Sequence, residues 1–413
     1  MASDFVIVGA GPVGLTAALL LGRAGKSVLI LERDPGLHTD WRASTFHAPT
    51  LEMAKEMGVV DDMLEQGLVA DLYQIRDWSR GRVAEFDFSA LSDVTEFPFR
   101  LQLEQYKYSA IIYDHLKRNY PNVEIRFAQA VRKVSETGEF PVITVEDMRP
   151  SAYGRTDEIV CGWLLGTDGA NSIVRQEMGL GFEGLTYPTR QLLLSLDAPL
   201  KEWYPDICWV NYIADSDSAP GMLLKIPDLW RVSFKVPDEI SDREAVGDAF
   251  VDACIRSVFG DRDMPPATER QVFRVHQRAA DTFRRRRILL LGDAAHINSP
   301  HGGMGLNSGI HDAFDLMRVL PGVADRLLPD SELDAWAARR RNAAVNEVQK
   351  ISHRNSVEIG SQDEAAISRT LQRMLELAAD PPRARAWMLE ASMLTAVRSW
   401  YHPAGAPQSL TVE

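Results

Sequence analysis

Cysteine is scarce in this chain. The 413 residues contain three cysteines, Cys161, Cys208 and Cys254, which are far apart and match no metal-ligand spacing. A disulfide framework needs paired cysteines and a zinc site needs closely spaced ligands, so neither is expected. The scarcity favours a reducing compartment, and we predict a cytoplasmic protein.

Basic residues are outnumbered by acidic ones. The chain carries 45 lysines and arginines against 58 aspartates and glutamates, which gives a formal net charge of −13. Proteins that bind nucleic acid do so largely by neutralising phosphates with cationic side chains. No nucleic-acid partner is therefore expected.

Long unbroken hydrophobic runs are also lacking. The most apolar stretch covers residues 5–21, but Asp4 stands where a secretory signal would carry a basic residue, and Gly11-Pro12 interrupts the run. A membrane-spanning helix needs about twenty consecutive apolar residues. The stretch is better interpreted as a strand followed by a helix, and no membrane partner is expected.

What the sequence does contain is a glycine pattern close to its start. Gly9, Gly11 and Gly14 separate an apolar run from an alanine- and leucine-rich segment, and a second apolar run ends in Glu32. This order is typical of a βαβ unit that binds a dinucleotide. In such a unit the glycines allow a tight turn, close approach of a pyrophosphate and close packing of the helix, while the acid accepts hydrogen bonds from a ribose. The alternative is a structural turn with Glu32 on the surface.

A second loop follows the apolar run at 163–166. It contains Asp168-Gly169, and Arg175 comes one turn into the helix that it introduces. Backbone N–H groups and the arginine could contact phosphate oxygens there. Alternatively, it is an Asp-Gly turn in which Asn171 or Ser172 caps the helix.

A third loop follows the apolar run at 288–291. Gly292-Asp293 opens it, and a glycine-rich stretch then leads to a helix predicted over 308–320. N–H groups at this strand-to-helix junction can face an electronegative ligand edge. His296, His301 and His311 share no rigid ligand spacing, so we predict no metal site.

Two segments have a different pattern. Residues 72–97 and 183–269 form short alternating or apolar runs, which prolines divide in the second segment, and this indicates an antiparallel sheet. Pockets often form where such a sheet meets a nucleotide-binding domain. On the strand near 207–213, the alternation places Tyr212 on the face opposite Asn211, and it leaves open which face points inward. The remainder, from residue 331, is predicted to be helical.

The three loops, in this order, resemble those of the single-component FAD-dependent aromatic hydroxylases, typified by para-hydroxybenzoate hydroxylase. The resemblance covers about residues 4–320. It implies an α/β fold: a Rossmann-type FAD-binding domain with an inserted antiparallel β-sheet substrate domain and a C-terminal helical segment. The boundaries predicted for these parts are 1–71, 98–182 and 270–330 for the discontinuous FAD-binding domain, 72–97 and 183–269 for the substrate domain, and 331–413 for the helical region.

The resemblance also implies a set of FAD contacts. Arg42 matches an arginine that contacts FAD and helps to receive the nicotinamide nucleotide, although its charge fits a surface cation equally well. Gln105 precedes a helix as the family's FAD-binding glutamine does, and Gln102 is the alternative. The complete predicted set is Gly9, Gly11, Gly14, Glu32, Arg33, Arg42, Gln105, Asp168, Asp293, Gly305, Leu306 and Asn307.

The activity implied is hydroxylation of a small aromatic or heteroaromatic ring with NADH or NADPH and O2, through a flavin C4a-hydroperoxide. His47, His301, Tyr212 and Pro300 are the catalytic candidates. Pro300 would lie near the reactive edge of the flavin, and a histidine or tyrosine could accept a phenolic proton. From its position alone His47 is more often structural. Because residues 207–226 contain no arginine to match the family's carboxylate-binding arginine, a benzoate held by its carboxylate is not expected.

Other functions stay open at this point. A related FAD-dependent reductase or halogenase would share the glycine loops, although the tryptophan-isoleucine signature of halogenases is absent. A non-catalytic flavin-binding protein would bind FAD that no nicotinamide reduces. The expected assembly is a monomer or a homodimer.

Overall fold

The structure is a computed structural model that describes residues 2–39, 43–136, 138–214, 221–262, 266–359 and 363–402. Arg42, one of the predicted FAD contacts, lies outside these residues.

Strands occur in three sheets. In chain order they are β1 (Ala2–Val8), β2 (Val28–Leu31), β3 (Thr45–Phe46), β4 (Leu68–Ala70), β5 (Leu72–Asp77), β6 (Gly81–Asp87), β7 (Arg100–Gln102), β8 (Val123–Arg126), β9 (Gln129–Ser135), β10 (Val142–Asp147), β11 (Thr156–Gly166), β12 (Phe182–Leu196), β13 (Val210–Ile213), β14 (Met222–Lys225), β15 (Trp230–Val236), β16 (Glu269–Ala280), β17 (Arg284–Arg285), β18 (Ile288–Leu290) and β19 (His296–Ile297).

Helices connect and cover these sheets. In chain order they are α1 (Pro12–Arg23), α2 (Ala48–Met57), α3 (Val60–Gln66), α4 (Gln105–Asn119), α5 (Ile173–Glu177), α6 (Leu200–Trp203), α7 (Asp242–Ala245), α8 (Asp248–Phe259), α9 (Gly305–Met317), α10 (Leu320–Ala324), α11 (Ser331–Asn342), α12 (Gln349–Ile359), α13 (Glu364–Ala378), α14 (Pro381–Ala391) and α15 (Leu394–Val397).

The first sheet is the nucleotide-binding one. Its central strands run in the order β18-β11-β1-β2-β8, all in parallel, and the antiparallel pair β9 and β10 extends it from β11. The core strands are apolar runs that are buried on both faces, as parallel sheets require. Helix α1 begins with Pro12 and packs against α4 and α9. The predicted Rossmann-type arrangement is confirmed.

The second sheet has the order β19-β16-β12-β15-β14-β13-β5-β6. Its pairs are antiparallel except for β13 and β5, because the predicted hairpin β5–β6 joins the sheet edge in parallel with β13. One face packs Trp230, Val232 and Phe234 against Val251 and Phe259 of α8. The opposite face is therefore the one that points toward the first sheet.

The chain beyond residue 331 is helical, as predicted, and its helices pack across both the first and the second sheet. Trp336 of α11 is completely buried, and the ring of Trp387 in α14 lies 4.2 Å from that of Phe86 in β6. The helix predicted over 308–320 starts earlier, at Gly305, because the chain already turns helically at Met304. No helix among the described residues is long and apolar enough to cross a membrane. The domain boundaries stay a prediction.

A buried ion pair fastens the last helix to α2. Arg398 donates to both carboxylate oxygens of Glu52 over 2.8 and 2.9 Å, and the two side chains are 9% and 4% exposed. We expect Arg398→Met to lower the free energy of unfolding by about 3 kcal/mol, because it leaves a buried carboxylate without its cation. Arg383→Met breaks an exposed pair with Asp380 and should cost less than about 1 kcal/mol. Equal losses in urea unfolding would contradict this assignment.

Candidate active site

A cavity of about 680 Å³ lies between the first and second sheets, and all three loops predicted from the sequence reach it. Gly11, Asp168 and Asp293 are among the residues that line it. They follow β1, β11 and β18, which are neighbouring parallel strands. The carboxyl ends of such strands share one edge of the sheet, which is where open α/β sheets bind ligands.

The loops are joined to one another by hydrogen bonds. The Thr167 hydroxyl donates to the carbonyl of Val8 over 2.8 Å, and Arg175 donates to the carbonyl of Ala294 over 2.8 Å. The Arg175 guanidinium also donates to Ala170 and lies 3.7 Å from the centre of the Phe182 ring. Since Arg175 does not line the cavity, it acts as a tie between the second and third loops rather than as a phosphate ligand.

The first loop leaves room for a pyrophosphate. Gly9 has a φ of +102°, which favours glycine, and a Cβ on Gly14 would stand 2.2 Å from the Gly9 carbonyl oxygen. A Cβ on Gly11 would instead meet nothing within 4 Å, because it would point into the open cavity. The missing side chain at Gly14 thus allows α1 to pack closely against the loop. The missing side chain at Gly11 leaves open space for a phosphate group at the start of α1.

Glu32 is oriented at the end of β2 by two backbone amides. Its carboxylate accepts hydrogen bonds from Ala10 over 2.8 Å and from Asp34 over 3.0 Å. Glu32 and Arg33 both line the cavity. Glu32, Asp34 and His38 also bring ligand-type atoms within 4.8 Å of one another, and His38 Nε2 lies 3.0 Å from the Asp34 carboxylate.

The second loop is organised by Asp168. Its carboxylate accepts hydrogen bonds from the Ser172 hydroxyl and from the amides of Ile173 and Val174. Ser172 in turn caps α5 by accepting from the Arg175 amide over 3.0 Å. Ser172 therefore caps the helix, as the alternative interpretation of this loop predicts, and the same loop also lines the cavity.

The third loop is anchored by a buried carboxylate in α9. Asp312 accepts hydrogen bonds from the Gly292 amide over 3.0 Å, from His296 over 2.8 Å and from Arg340 over 2.7 Å. Burial alone would raise the pKa of Asp312, but His296 and Arg340 lower it to about 2. The carboxylate stays ionised and fixes the loop, while Asp293 is exposed on the cavity wall.

Asn307 lies behind the cavity rather than on its wall. Its side chain donates to the carbonyls of Thr45 and Gly303 and accepts from the His47 amide and the Thr50 hydroxyl. It therefore connects the segment after residue 43 to the start of α9. Gly305 and Leu306 do line the cavity.

The four catalytic candidates meet at one loop. Pro300 and His301 line the cavity, and so does Tyr212 of β13. The Gly302 amide donates to the Tyr212 hydroxyl over 3.2 Å, and the Gly302 carbonyl accepts from His47 Nε2 over 2.9 Å. His47 is completely buried outside the lining residues, so its contacts favour positioning of this loop over contact with substrate.

His301 has one ring nitrogen engaged by two serine hydroxyls. Its Nδ1 lies 2.9 Å from the Ser299 hydroxyl and 3.1 Å from the Ser356 hydroxyl. Burial lowers the pKa of His301 to about 4, so the imidazole is neutral at neutral pH. A neutral imidazole on the cavity wall can accept a proton.

The glutamine alternatives are distinguished by position. Gln105 lines the cavity in the first turn of α4. Gln102 is completely buried in β7, where it accepts a hydrogen bond from Thr45 over 3.0 Å. The geometry favours Gln105 as the cofactor contact, and its role stays a prediction.

The sequence analysis missed the sheet face that closes the cavity. It is lined by Gln191, Leu193, Tyr212, Met222, Leu224, Arg231, Ser233, Gln271 and Phe273. Residues 207–226 contain no arginine, but Arg231 on the next strand does line the cavity. The alternation in β15 was the available signal, since Trp230 and Val232 take the other face. Burial lowers the pKa of Arg231 to about 10, so the side chain remains a cation at neutral pH.

Comparison with known proteins assigns the family. Residues 2–350 match a family model described as an FAD binding domain. The chain is 32% identical over 398 residues to para-nitrophenol 4-monooxygenase from Pseudomonas sp. (strain WBC-3), which covers 95% of this chain and 96% of that protein. The chain belongs to the FAD-dependent aromatic hydroxylases.

Other aromatic hydroxylases support the same assignment. The chain is 32% identical to 6-hydroxy-3-succinoylpyridine 3-monooxygenase from Pseudomonas putida (strain DSM 28022 / S16), over 84% of this chain and 86% of that one. The crystal structure of p-nitrophenol 4-monooxygenase from Pseudomonas putida DLL-E4 superposes with a TM-score of 0.88 at 27% identity, covering 95% of this chain and 98% of that one. The predicted family, fold, FAD dependence and aromatic monooxygenase class are confirmed.

The described residues of this aromatic hydroxylase fit FAD. The open space at Gly11, the start of α1 and the oriented Glu32 suit a pyrophosphate and a ribose. Asp293 in the third loop and Gly305 and Leu306 at the start of α9 line the same cavity. These residue roles stay predictions.

Substitutions at two glycines should affect FAD content and apoprotein stability separately. Gly11→Ala keeps an extended backbone that any residue adopts, and its methyl group meets no protein atom. We expect this variant to melt like the wild-type apoprotein but to retain roughly tenfold less FAD, because the methyl group occupies pyrophosphate space. Gly14→Ala should lower the apoprotein melting temperature, because its Cβ meets the Gly9 carbonyl. Flavin absorbance per chain and thermal melts measure the two effects, and a Gly11→Ala protein with full FAD content would contradict the placement.

The neutral His301 predicts a pH effect on stability. A histidine whose pKa is about 4 when folded and about 6.5 when unfolded contributes stability above pH 6.5, and this contribution is lost as the pH falls through 4. Between pH 7 and pH 5 we expect the wild-type apoprotein to lose roughly 1–2 kcal/mol more unfolding free energy than His301→Gln does. Urea unfolding at both pH values tests this, and identical losses would refute the lowered pKa.

Proposed function

We propose that this hydroxylase acts on a small phenol or hydroxypyridine that carries an acceptor group, with NADH or NADPH as the reductant. The observation that carries the proposal is the presence of a buried cation and a neutral imidazole, Arg231 and His301, on the wall of one cavity. The two positions suit a ring that has an acceptor substituent at one end and a hydroxyl group at the other.

The pairing of the strands sets the scale of the site. Tyr212 pairs with Met222, and Met222 pairs with Ser233, so Arg231, two residues before Ser233 in β15, lies two strands from Tyr212 on the same face. Neighbouring strands are about 4.8 Å apart and a strand rises about 3.3 Å per residue, which places the backbones of Arg231 and Tyr212 roughly 12 Å apart on the sheet. That span suits a single substituted ring between Arg231 and the His301 loop.

Each wall has a distinct task. Leu193, Met222, Leu224 and Phe273 present apolar surface that packs against the ring and keeps water from it. The Arg231 guanidinium can hold a nitro, carbonyl or carboxylate oxygen through charge-assisted hydrogen bonds. His301 accepts the proton of the ring hydroxyl, which makes the ring more electron-rich for oxygenation. Bound FAD supplies the redox chemistry, since it takes electrons from the nicotinamide nucleotide and activates O2.

The names of two relatives agree with this substrate class. One relative is named for para-nitrophenol and another for 6-hydroxy-3-succinoylpyridine. Both compounds carry a ring hydroxyl and an acceptor group. We also propose a cytoplasmic location, because none of the three cysteines forms a disulfide, and a monomeric or homodimeric state.

The function is tested with a panel of phenols and hydroxypyridines, with and without nitro or carbonyl substituents. The holoenzyme should oxidise NADH or NADPH faster with a substrate ring present, and the product should gain one oxygen atom by mass spectrometry. Nicotinamide oxidation without an oxygenated product would instead identify a reductase. Bound FAD that no nicotinamide reduces would identify a non-catalytic flavoprotein.

Arg231 should determine the preference for acceptor groups. We expect Arg231→Met to raise the KM for a nitro- or carbonyl-bearing phenol roughly 10- to 100-fold, because a charge-assisted hydrogen bond is lost, and to change the KM for unsubstituted phenol little. Arg274→Met, on an exposed position of β16, is the matched control and should match the wild type. Equal KM changes for both kinds of phenol would remove Arg231 from the substrate site.

A further inference from the structure

A buried carboxylate lies next to the part of the cavity wall that carries Arg231. Glu104 immediately precedes α4 and is 2% exposed, whereas its neighbour Gln105 lines the cavity. Its position is that of a helix cap, but the Glu104 side chain makes no capping hydrogen bond to α4. Neither helix capping nor the predicted FAD contacts therefore account for a buried acid at this position.

The backbone brings Glu104 close to Arg231. The amides of the residues on either side of Glu104 donate to the carbonyls of Ser44 and Ala43 over 2.8 and 2.9 Å. The Arg231 guanidinium donates to the Ser44 hydroxyl over 3.4 Å. The segment that holds Glu104 in place is therefore also a contact of Arg231.

The charge of Glu104 acts on the Arg231 guanidinium. Burial lowers the pKa of Arg231 to about 10, and two carboxylates oppose this change, first that of Glu104 and then that of Glu269 in β16. Opposite charges that are buried close together offset each other's cost of desolvation and cancel much of each other's field. The wall at Arg231 therefore offers hydrogen-bond donors to a ligand but little net positive charge.

Glu104 is held on its other side by an ion pair that reaches the surface. Its carboxylate lies 3.1 Å from Lys107 Nζ, which also lies 3.4 Å from Asp228 in the segment between β14 and β15. Lys107 is 18% exposed and Asp228 is 75% exposed, so solvent and salt screen these two charges more than those of Glu104 and Arg231. The buried pair is thus the one whose charges a ligand in the cavity experiences.

We propose that Glu104 is a specificity-determining residue that neutralises Arg231, so that the cavity selects a ring with an uncharged acceptor over the same ring with a carboxylate. The inference rests on the proposed function. A nitro group and a carboxylate have nearly the same planar shape and differ by one negative charge. Arg231 can donate hydrogen bonds to both groups, but Glu104 repels only the carboxylate. The selection therefore comes from charge rather than from shape, and Arg231 on the wall does not make this a site for benzoates.

The test compares 4-nitrophenol with 4-hydroxybenzoate on FAD-loaded enzyme, at a pH at which both phenols are neutral and the carboxylate is ionised. Changes in flavin absorbance on titration give the dissociation constants. We expect Glu104→Gln, which keeps the shape and removes the charge, to tighten binding of 4-hydroxybenzoate roughly tenfold or more and to change that of 4-nitrophenol less than about threefold. A damaged fold would weaken both ligands, so a purely structural role for Glu104 would not give this selective gain.

The matched control is Asp228→Asn, which removes an acidic charge from the same group of ion pairs at an exposed position and should leave both dissociation constants unchanged. A wild-type ratio of the two dissociation constants in Glu104→Gln would overturn the inference, and so would a wild-type enzyme that binds 4-hydroxybenzoate as tightly as 4-nitrophenol.

Oxygenated product from the panel shows separately whether the proposed function holds. An enzyme that hydroxylates 4-nitrophenol while Glu104→Gln keeps the wild-type preference would reject the role of Glu104 alone. A wild-type enzyme that binds neither probe would contradict both the proposed function and this inference.

Discussion

The buried carboxylate of Asp312 is the contact on which the flavin side of this enzyme depends. The carboxylate accepts hydrogen bonds from the Gly292 amide, His296 and Arg340, and all four groups are buried. A buried carboxylate without such partners would cost several kcal/mol, so the ion network stabilises one arrangement of the third loop. The same helix carries Asn307, which holds the loop at His47 and the Gly303 carbonyl. One helix, α9, therefore positions two walls of the cavity.

The glycine loops could be predicted from the sequence because their chemistry is local. The turn at Gly9, the close packing at Gly14 and the acid at Glu32 belong to one βαβ unit, and neighbouring residues fix their geometry. The two later loops follow apolar runs that became parallel strands beside the first. Their arrival at one cavity is a consequence of strand order rather than of any new signal.

Side-chain direction could not be predicted in the same way. Arg231 faces the cavity because Trp230 and Val232 are drawn to α8 on the other side of the sheet, a tertiary contact that alternation alone does not reveal. Arg175 donates hydrogen bonds to the Ala294 and Ala170 carbonyls, and His47 donates one to the Gly302 carbonyl. Each has the residue type expected of a ligand contact. Each turns instead to a backbone group that only the folded chain brings near.

The cavity is assembled from loops that lie more than a hundred residues apart in the chain, at Gly11, Asp168 and Asp293. The complete site for FAD therefore exists only in a chain in which all three loops are already in place. From then on the ligand adds to the stability of the native chain in proportion to the logarithm of its concentration, by about 2.7 kcal/mol at a hundredfold excess over its Kd. Chains made while flavin is scarce lack this contribution, so a larger fraction of them is unfolded at any moment.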